Sequence, residues 1–260
     1  MNKKIINIIG IPYDEKSSFM RGSASGPDKV KETFHDGSAN YFAENGVDIK
    51  NDIELRDKGN LTIDKYEDIK PALVKHLSSN EKFIFLGGDH SVTYPIIDAI
   101  KDHHKSFDIL HFDAHADLYN EFEGDKYSHA CPFARIMELG VVNRLVQVGI
   151  RTLTKHLREQ AEKFNVEIIE MRNIHLMKDL KFSDKLYISI DLDGFDPAYA
   201  PGVSHHEPGG LTPRQVINFL HGINCEIIGA DIVELNPSRD LSNITAALAA
   251  KLLRELCGIL

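Results

Sequence analysis

The run Phe107-Asp-Ile-Leu-His-Phe112, followed directly by Asp113-Ala-His-Ala-Asp117, restricts this chain more than any other stretch. A short aromatic and β-branched run bounded by polar residues predicts a buried strand. Alternate residues of extended chain point to one face, so Asp113, His115 and Asp117 are placed to converge. Two further apolar runs end in the same way. Lys185-Leu-Tyr-Ile-Ser-Ile190 leads into Asp191-Leu-Asp193-Gly-Phe-Asp196, and Glu81-Lys-Phe-Ile-Phe-Leu86 leads into Gly87-Gly-Asp89-His90-Ser91. Folding gives a strand end no need for an acid. In open α/β sheets, ligands bind at the carboxyl ends of the strands.

The rest of the chain supplies the expected frame. Strands are predicted over Lys4–Gly10, Gly46–Ile53, Phe83–Leu86, Arg144–Gly149, Val166–Ile169 and Glu226–Val233, besides the two already named. Helices are predicted from Pro27 towards Phe34, and over Asp64–Leu77, Ser91–Ile100, Pro132–Leu139, Thr154–Phe164, Thr212–Leu220 and Ile244–Leu256, with Thr212 capping its helix. Strands that alternate with helices and are apolar on both faces predict a mostly parallel sheet covered on both sides. No Pro/Gly/Ser-rich linker divides the 260 residues, so residues 1–260 are expected to form one α/β domain.

Composition narrows the partners. A formal net charge of −9 argues against nucleic acid, whose phosphates want a basic face, and it suits a small cationic substrate. Cys131, Cys225 and Cys257 are odd in number and widely spaced, which predicts a reducing compartment rather than a disulfide framework. Met1-Asn-Lys-Lys-Ile-Ile6 has no long apolar leader segment, and no stretch approaches transmembrane length. The expectation is a cytoplasmic protein without a membrane partner.

Pooling the strand ends gives His90, Asp113, His115, Asp117, Asp191 and Asp193. Four carboxylates and two imidazoles are too many for one ion. They suit two divalent cations about 3.5–4 Å apart, whose charge the four acids balance. Oxygen-rich ligation without thiolate favours Mn²⁺ over Zn²⁺, with Fe²⁺, Co²⁺ and Ni²⁺ as alternatives. Of the neighbouring polar residues, His111 is expected on the opposite face from the ligands, in a core or supporting role. Asp89 and Asp196 are expected to hydrogen-bond rather than ligate, and Cys131 is not expected to act as a nucleophile. His103-His104 and His205-His206 are expected at the solvent surface.

Three signatures together carry a specific resemblance. Gly87-Gly-Asp-His-Ser91, Phe112-Asp-Ala-His-Ala-Asp117 and Ser189-Ile-Asp-Leu-Asp-Gly-Phe-Asp-Pro197 resemble those of the ureohydrolase superfamily, the arginases, agmatinases and related amidinohydrolases. Gly10-Ile-Pro, Arg21-Gly-Ser, Gly26-Pro-Asp28 and Asp231-Ile-Val-Glu-Leu-Asn-Pro237 follow in the family's order, so nearly the whole chain is covered. The resemblance implies a three-layer α/β/α fold on an eight-stranded parallel sheet. It implies two Mn²⁺ ions, one bound by His90 and Asp117 and the other by His115 and Asp193, with Asp113 and Asp191 between them. His129 corresponds to the family's proton-shuttling histidine, and Glu234 to the carboxylate that holds the guanidinium. The implied reaction is attack on the guanidinium carbon by a hydroxide shared between the ions, yielding urea and a primary amine. The family also implies a homo-oligomer, trimer or hexamer.

The loops bear on the substrate. Asn120-Glu-Phe-Glu-Gly124, Tyr127-Ser-His-Ala-Cys131 and Pro201-Gly-Val-Ser204 with Glu207-Pro-Gly-Gly-Leu211 resemble agmatinases, which implies hydrolysis of agmatine to putrescine. Glu121 and Glu123 would suit a second cation at the far end of such a substrate. Ser204-His205-His206, and Ala130 in place of a frequent glycine, depart from the agmatinase pattern. They leave guanidinobutyrate, aminopropylagmatine, formiminoglutamate and arginine as alternatives. From other classes stand a catalytically silent metal- or agmatine-binding protein and a deacetylase of similar topology.

Overall fold

The computed structural model describes residues 3–78 and 81–260. Met1 and Asn2, the start of the segment read above for a leader, lie outside the described residues. Eight strands are formed: β1 Lys4–Ile11, β2 Ile53–Asn60, β3 Lys82–Gly87, β4 Phe107–Phe112, β5 Val142–Ile150, β6 Glu167–Glu170, β7 Lys185–Asp191 and β8 Glu226–Val233. All pairings are parallel, in the order β2-β1-β3-β8-β7-β4-β5-β6. The chain steps from β3 over two positions to β4 and fills them later with β7 and β8. The strands that end in Asp and His therefore lie in the centre of the sheet, β3 and β7 on either side of β8 and β4 next to β7. A crevice at the carboxyl ends of strands belongs at such a reversal of order.

Helices α1 Gly26–His35, α6 Pro213–His221 and α7 Ile244–Ile259 pack on one another, as do α2 Ile69–Val74, α3 Thr93–Ile100, α4 Pro132–Glu138 and α5 Lys155–Phe164. Each set covers a face of the sheet. Ile6, Ile8, Ile84, Leu110, Ile188 and Ile232 pack towards one side, and Ile9, Phe85, Ile109, Tyr187 and Val233 towards the other. The alternation follows from the two-residue strand period. Thr212 Oγ1 accepts from Gln215 N at 3.2 Å and closes a capping box at α6, as its place before Pro213 predicts.

The strand expected over Gly46–Ile53 is displaced: β2 begins only at Ile53. Asp48 Oδ1 accepts from Lys50 N at 3.0 Å and Asn51 N at 3.3 Å, turning the backbone where a ladder would otherwise run. β2 is a sheet edge, largely exposed, and its Glu54, Arg56, Asp57 and Lys58 hide the alternation that marks a strand. The helix expected over Asp64–Leu77 is a 3₁₀ turn at Tyr66–Asp68 followed by the short α2. Pro71 sits in the first turn of α2, where its missing N–H leaves no bond unmade.

Candidate active site

β3, β4 and β7 each deliver their acids and imidazoles to the same end of the sheet. Two glycines make the approach possible. A Cβ on Gly88 would lie 2.0 Å from the Tyr13 carbonyl oxygen, and one on Gly194 would lie 2.8 Å from Asp113 N. Backbone packs against backbone there, which sets His90 and Asp193 close to Asp113. His90 Nδ1 lies 3.2 Å from Asp113 Oδ2, 3.1 Å from Asp117 Oδ2 and 3.0 Å from Asp191 Oδ2. His115 Nδ1 lies 3.0 Å from Asp193 Oδ2 and 3.5 Å from Asp113 Oδ1. The structure thus brings all six sequence-derived metal candidates together, with Asp113 reaching both histidines.

The donor set fits cations. His90 Nε2 is 3.0 Å from Ser189 Oγ, which donates to Asp231 Oδ1 at 2.6 Å. With its proton at Nε2, the ring presents a lone pair at Nδ1 to three carboxylates, and that buried nitrogen makes no hydrogen bond. A nitrogen lone pair facing anionic oxygens repels them unless a positive charge lies between. Electrostatics point the same way. Burial opposes charge on His90 and His115, yet the surrounding carboxylates raise both rings well above the usual imidazole range. Burial together with the neighbouring acids pushes Asp191 well up and Asp193 to about 7. The same field that would draw in protons draws in metal ions.

His111 is not on the opposite face. It is two residues before Asp113, hence on the same side of the strand, and its Nε2 meets Asp113 Oδ2 at 2.8 Å. Gln147 Nε2 lies 3.0 Å from His111 Nδ1, fixing the proton at Nε2, and Phe133 stacks on the ring at 3.9 Å between centroids. Burial lowers the His111 pKa, so the ring is a neutral donor that orients Asp113. Asp231, an acid inside an otherwise apolar strand, takes bonds from Thr93, Tyr187 and Ser189 and so steers His90. The sequence reading assigned it no role, although a charge in a buried strand is a legible signal.

Beside the cluster, His129 Nδ1 lies 3.0 Å from Glu234 Oε1, which also accepts from His90 N at 2.9 Å. His129 Nε2 faces Ser18, with the backbone N–H at 3.1 Å and the hydroxyl at 2.8 Å. Burial opposes charge on His129, but Glu234 outweighs it and the pKa rises to about 9. Glu234 adopts φ +67° and Asp117 φ +48°, left-handed backbone that costs a non-glycine residue about 1–2 kcal/mol. Asp89 holds the segment that carries Ser18, accepting from Lys16 N at 2.9 Å, and His129 N bonds Lys16 O at 3.1 Å. Asp89 thus acts as a hydrogen-bonding acid. So does Asp196, which takes the N–H groups of Gly209 and Gly210 at 2.7 and 3.1 Å.

These groups face a cavity of about 240 Å³, whose wall also includes Tyr119, Phe122, Leu157, Thr152, His205 and Glu207. His205 is therefore no surface residue. Its ring centroid lies 5.4 Å from that of His129 and 5.7 Å from that of His115, while His206 remains exposed. Glu121 and Glu123 are exposed and absent from the cavity wall. Burial pushes the Cys131 thiol up to about 12, so it stays protonated, as a thiol outside the chemistry would. Ser18 escaped the sequence reading, and His205 and Glu207 were read only as parts of a loop, because loops set their positions without periodicity.

Residues 4–258 match the arginase family. Arginase 1, mitochondrial, of Arabidopsis thaliana is 42% identical over 98% of this chain and 81% of its own length. The arginase structure from Medicago truncatula superposes with a TM-score of 0.92 at 42% identity, covering 98% of this chain and 86% of that one. The chain belongs to the arginase family. N(1)-aminopropylagmatine ureohydrolase of Thermus thermophilus is 34% identical over 92% of this chain and 86% of its own length. An arginase-family chain is a ureohydrolase, an enzyme of a class that hydrolyses guanidino compounds, which sets aside the silent-binder and deacetylase readings. Among the described residues no helix is long and apolar enough to cross a membrane.

Proposed function

We propose that this chain hydrolyses L-arginine to urea and ornithine with two Mn²⁺ ions held by His90, Asp113, His115, Asp117, Asp191 and Asp193. One observation carries the reaction: four of the six proposed ligands, His115, Asp117, Asp191 and Asp193, line the same cavity as the His129–Glu234 pair, with His90 and Asp113 buried directly behind them. When bound, two such cations supply the Lewis acidity that makes water a competent nucleophile near neutral pH. Glu234 holds and orients the guanidinium, which offsets the low reactivity of a delocalised cation through proximity. Its Oε1 is taken by His129 and His90 N, which leaves Oε2 for substrate. Glu234 holds His129 by Nδ1 and raises its pKa, while Nε2 accepts from Ser18 N–H and lies 2.8 Å from the Ser18 hydroxyl, which places the ring to relay a proton towards the departing amine. The 42% identity to plant arginases favours arginine.

Agmatine is the second reading, and a specific observation favours it: no Lys or Arg is among the residues that line the cavity to receive an α-carboxylate. Urea release from arginine, agmatine and 4-guanidinobutyrate, offered in parallel to Mn²⁺-loaded protein, separates the readings. A higher kcat/KM for arginine supports the first, and a higher value for agmatine replaces it with the second. No urea from any of them overturns both. Three free thiols fit a reducing, cytoplasmic setting. The homo-oligomer, trimer or hexamer, is tested by light scattering on the eluting protein.

A further inference from the structure

The metal cluster and Glu234 account for one end of the substrate and leave the rest of the cavity wall to be explained. Five carboxylates line it: Asp117, Asp191, Asp193, Glu234 and Glu207. The first three belong to the proposed metal ligands and the fourth to the guanidinium site. Glu207 alone has no place in the reaction. Among the described residues its carboxylate has no hydrogen bond and no ion pair, although the residue is half-buried on the cavity wall.

The loop that carries Glu207 is fastened. Arg151 Nε and Nη2 donate to the Glu207 carbonyl at 2.9 and 2.6 Å, and Nη2 also reaches the Asp193 carbonyl at 2.8 Å. Arg151 Nη1 donates to Gly149 O at 3.1 Å and Gly194 O at 3.2 Å. One planar guanidinium thus fixes Glu207 relative to Asp193, and its own donors are spent on backbone carbonyls rather than on the carboxylate. Tyr119, Phe122 and Leu157 on the same cavity wall offer apolar surface for a methylene chain.

We infer that Glu207 is a specificity-determining residue that binds a primary ammonium at the end of the substrate opposite to the guanidinium. The inference rests on the guanidino-hydrolase reading above and deepens it. Arginine and agmatine both carry such an ammonium. 4-Guanidinobutyrate carries a carboxylate there instead, which Glu207 repels. The acidic turn at Glu121 and Glu123 has no part in this, because it lies off the cavity wall.

The test uses Mn²⁺-loaded wild type, Glu207→Gln and Glu121→Gln, with urea release from the three guanidino compounds and calorimetric binding of 1,4-diaminobutane. Losing a charge-assisted hydrogen bond is expected to raise KM for arginine and agmatine about 10–100-fold in Glu207→Gln. Little change in kcat is expected, KM for 4-guanidinobutyrate should hold or fall, and Glu121→Gln should match wild type. Diamine affinity should drop in Glu207→Gln alone. Parallel rises in KM for all three compounds would mean a merely structural role and overturn the inference. Should wild type release no urea at all, the reaction reading fails by itself. Diamine binding then decides on Glu207: weaker binding in Glu207→Gln supports it, and unchanged binding sinks it.

Discussion

His129 is the residue whose environment makes the most specific demand on experiment. Its folded pKa of about 9 lies above the ordinary imidazole value of 6.5. Stability drawn from the protonated ring is therefore fully present below about 6.5, fades as pH rises, and is gone above about 9. In metal-free protein the stability difference between wild type and His129→Ala should shrink across that window, as denaturant titrations at stepped pH would read. A difference independent of pH would mean that the ring is not charged in the fold. As proton donor, His129 should hold its activity into alkaline pH, and His129→Ala should lower kcat by about 10²–10⁴-fold. Glu234 is the group that raises the ring, so Glu234→Gln should move the His129 titration back down, visible in its ring resonances. An unmoved titration would assign the shift to some other group. The type and spacing of all eight site residues stand in the sequence. The direction of their side chains does not, and His111 shows how easily a face is misjudged when counting starts from the wrong neighbour.

At the scale of elements, the site depends on how closely the loop after β3 passes the segment at Tyr13. Gly88→Ala would place a methyl carbon 2.0 Å from the Tyr13 carbonyl oxygen, so one of the two backbones must shift to admit it. The expected result is a loss of at least about 2 kcal/mol in stability together with weakened Mn²⁺ binding, because His90 and Glu234 are both tied to this loop. Thermal melts and metal titrations would check this, and a variant of wild-type stability would show that the loop can move. Thr212→Ala makes the contrast. It removes the α6 cap at a cost of about 0.5–2 kcal/mol and should leave metal binding untouched, since the Thr212 side chain bonds only Gln215 and none of the ligands. Interior strands such as β4 and β7 were legible because burial on both faces selects apolar runs. β2 was not, because an edge strand is charged like a loop.

For the whole molecule, the metal cluster is where folding and function compete. Four buried carboxylates and two imidazoles at the heart of the sheet are costly without cations, so metal binding should act as folding energy. At free Mn²⁺ near 1,000 times its dissociation constant the gain is about 4 kcal/mol for a single site. Chelator should therefore lower the melting temperature, Mn²⁺ should restore it, and Asp191→Asn should blunt the response. Elemental analysis should find two ions per chain in wild type. A melting temperature indifferent to chelator would place the ions outside the stabilising core.

The sequence by itself determined the parallel α/β class, the six clustered ligands and the family resemblance. Strand burial and side-chain alternation are local, and the acids lie next to the strands that carry them. Only the tertiary structure decided the strand order that sets β8 between β3 and β7, the inward turn of His205, and the isolation of Glu207 on the cavity wall. It also decided the support that Asp231, His111 and Arg151 give to the ligands. These depend on contacts between residues 36 to 144 positions apart, such as His111 with Gln147 and His90 with Glu234. Where in space the packing of two helical layers brings such residues together is not encoded in any single stretch of chain.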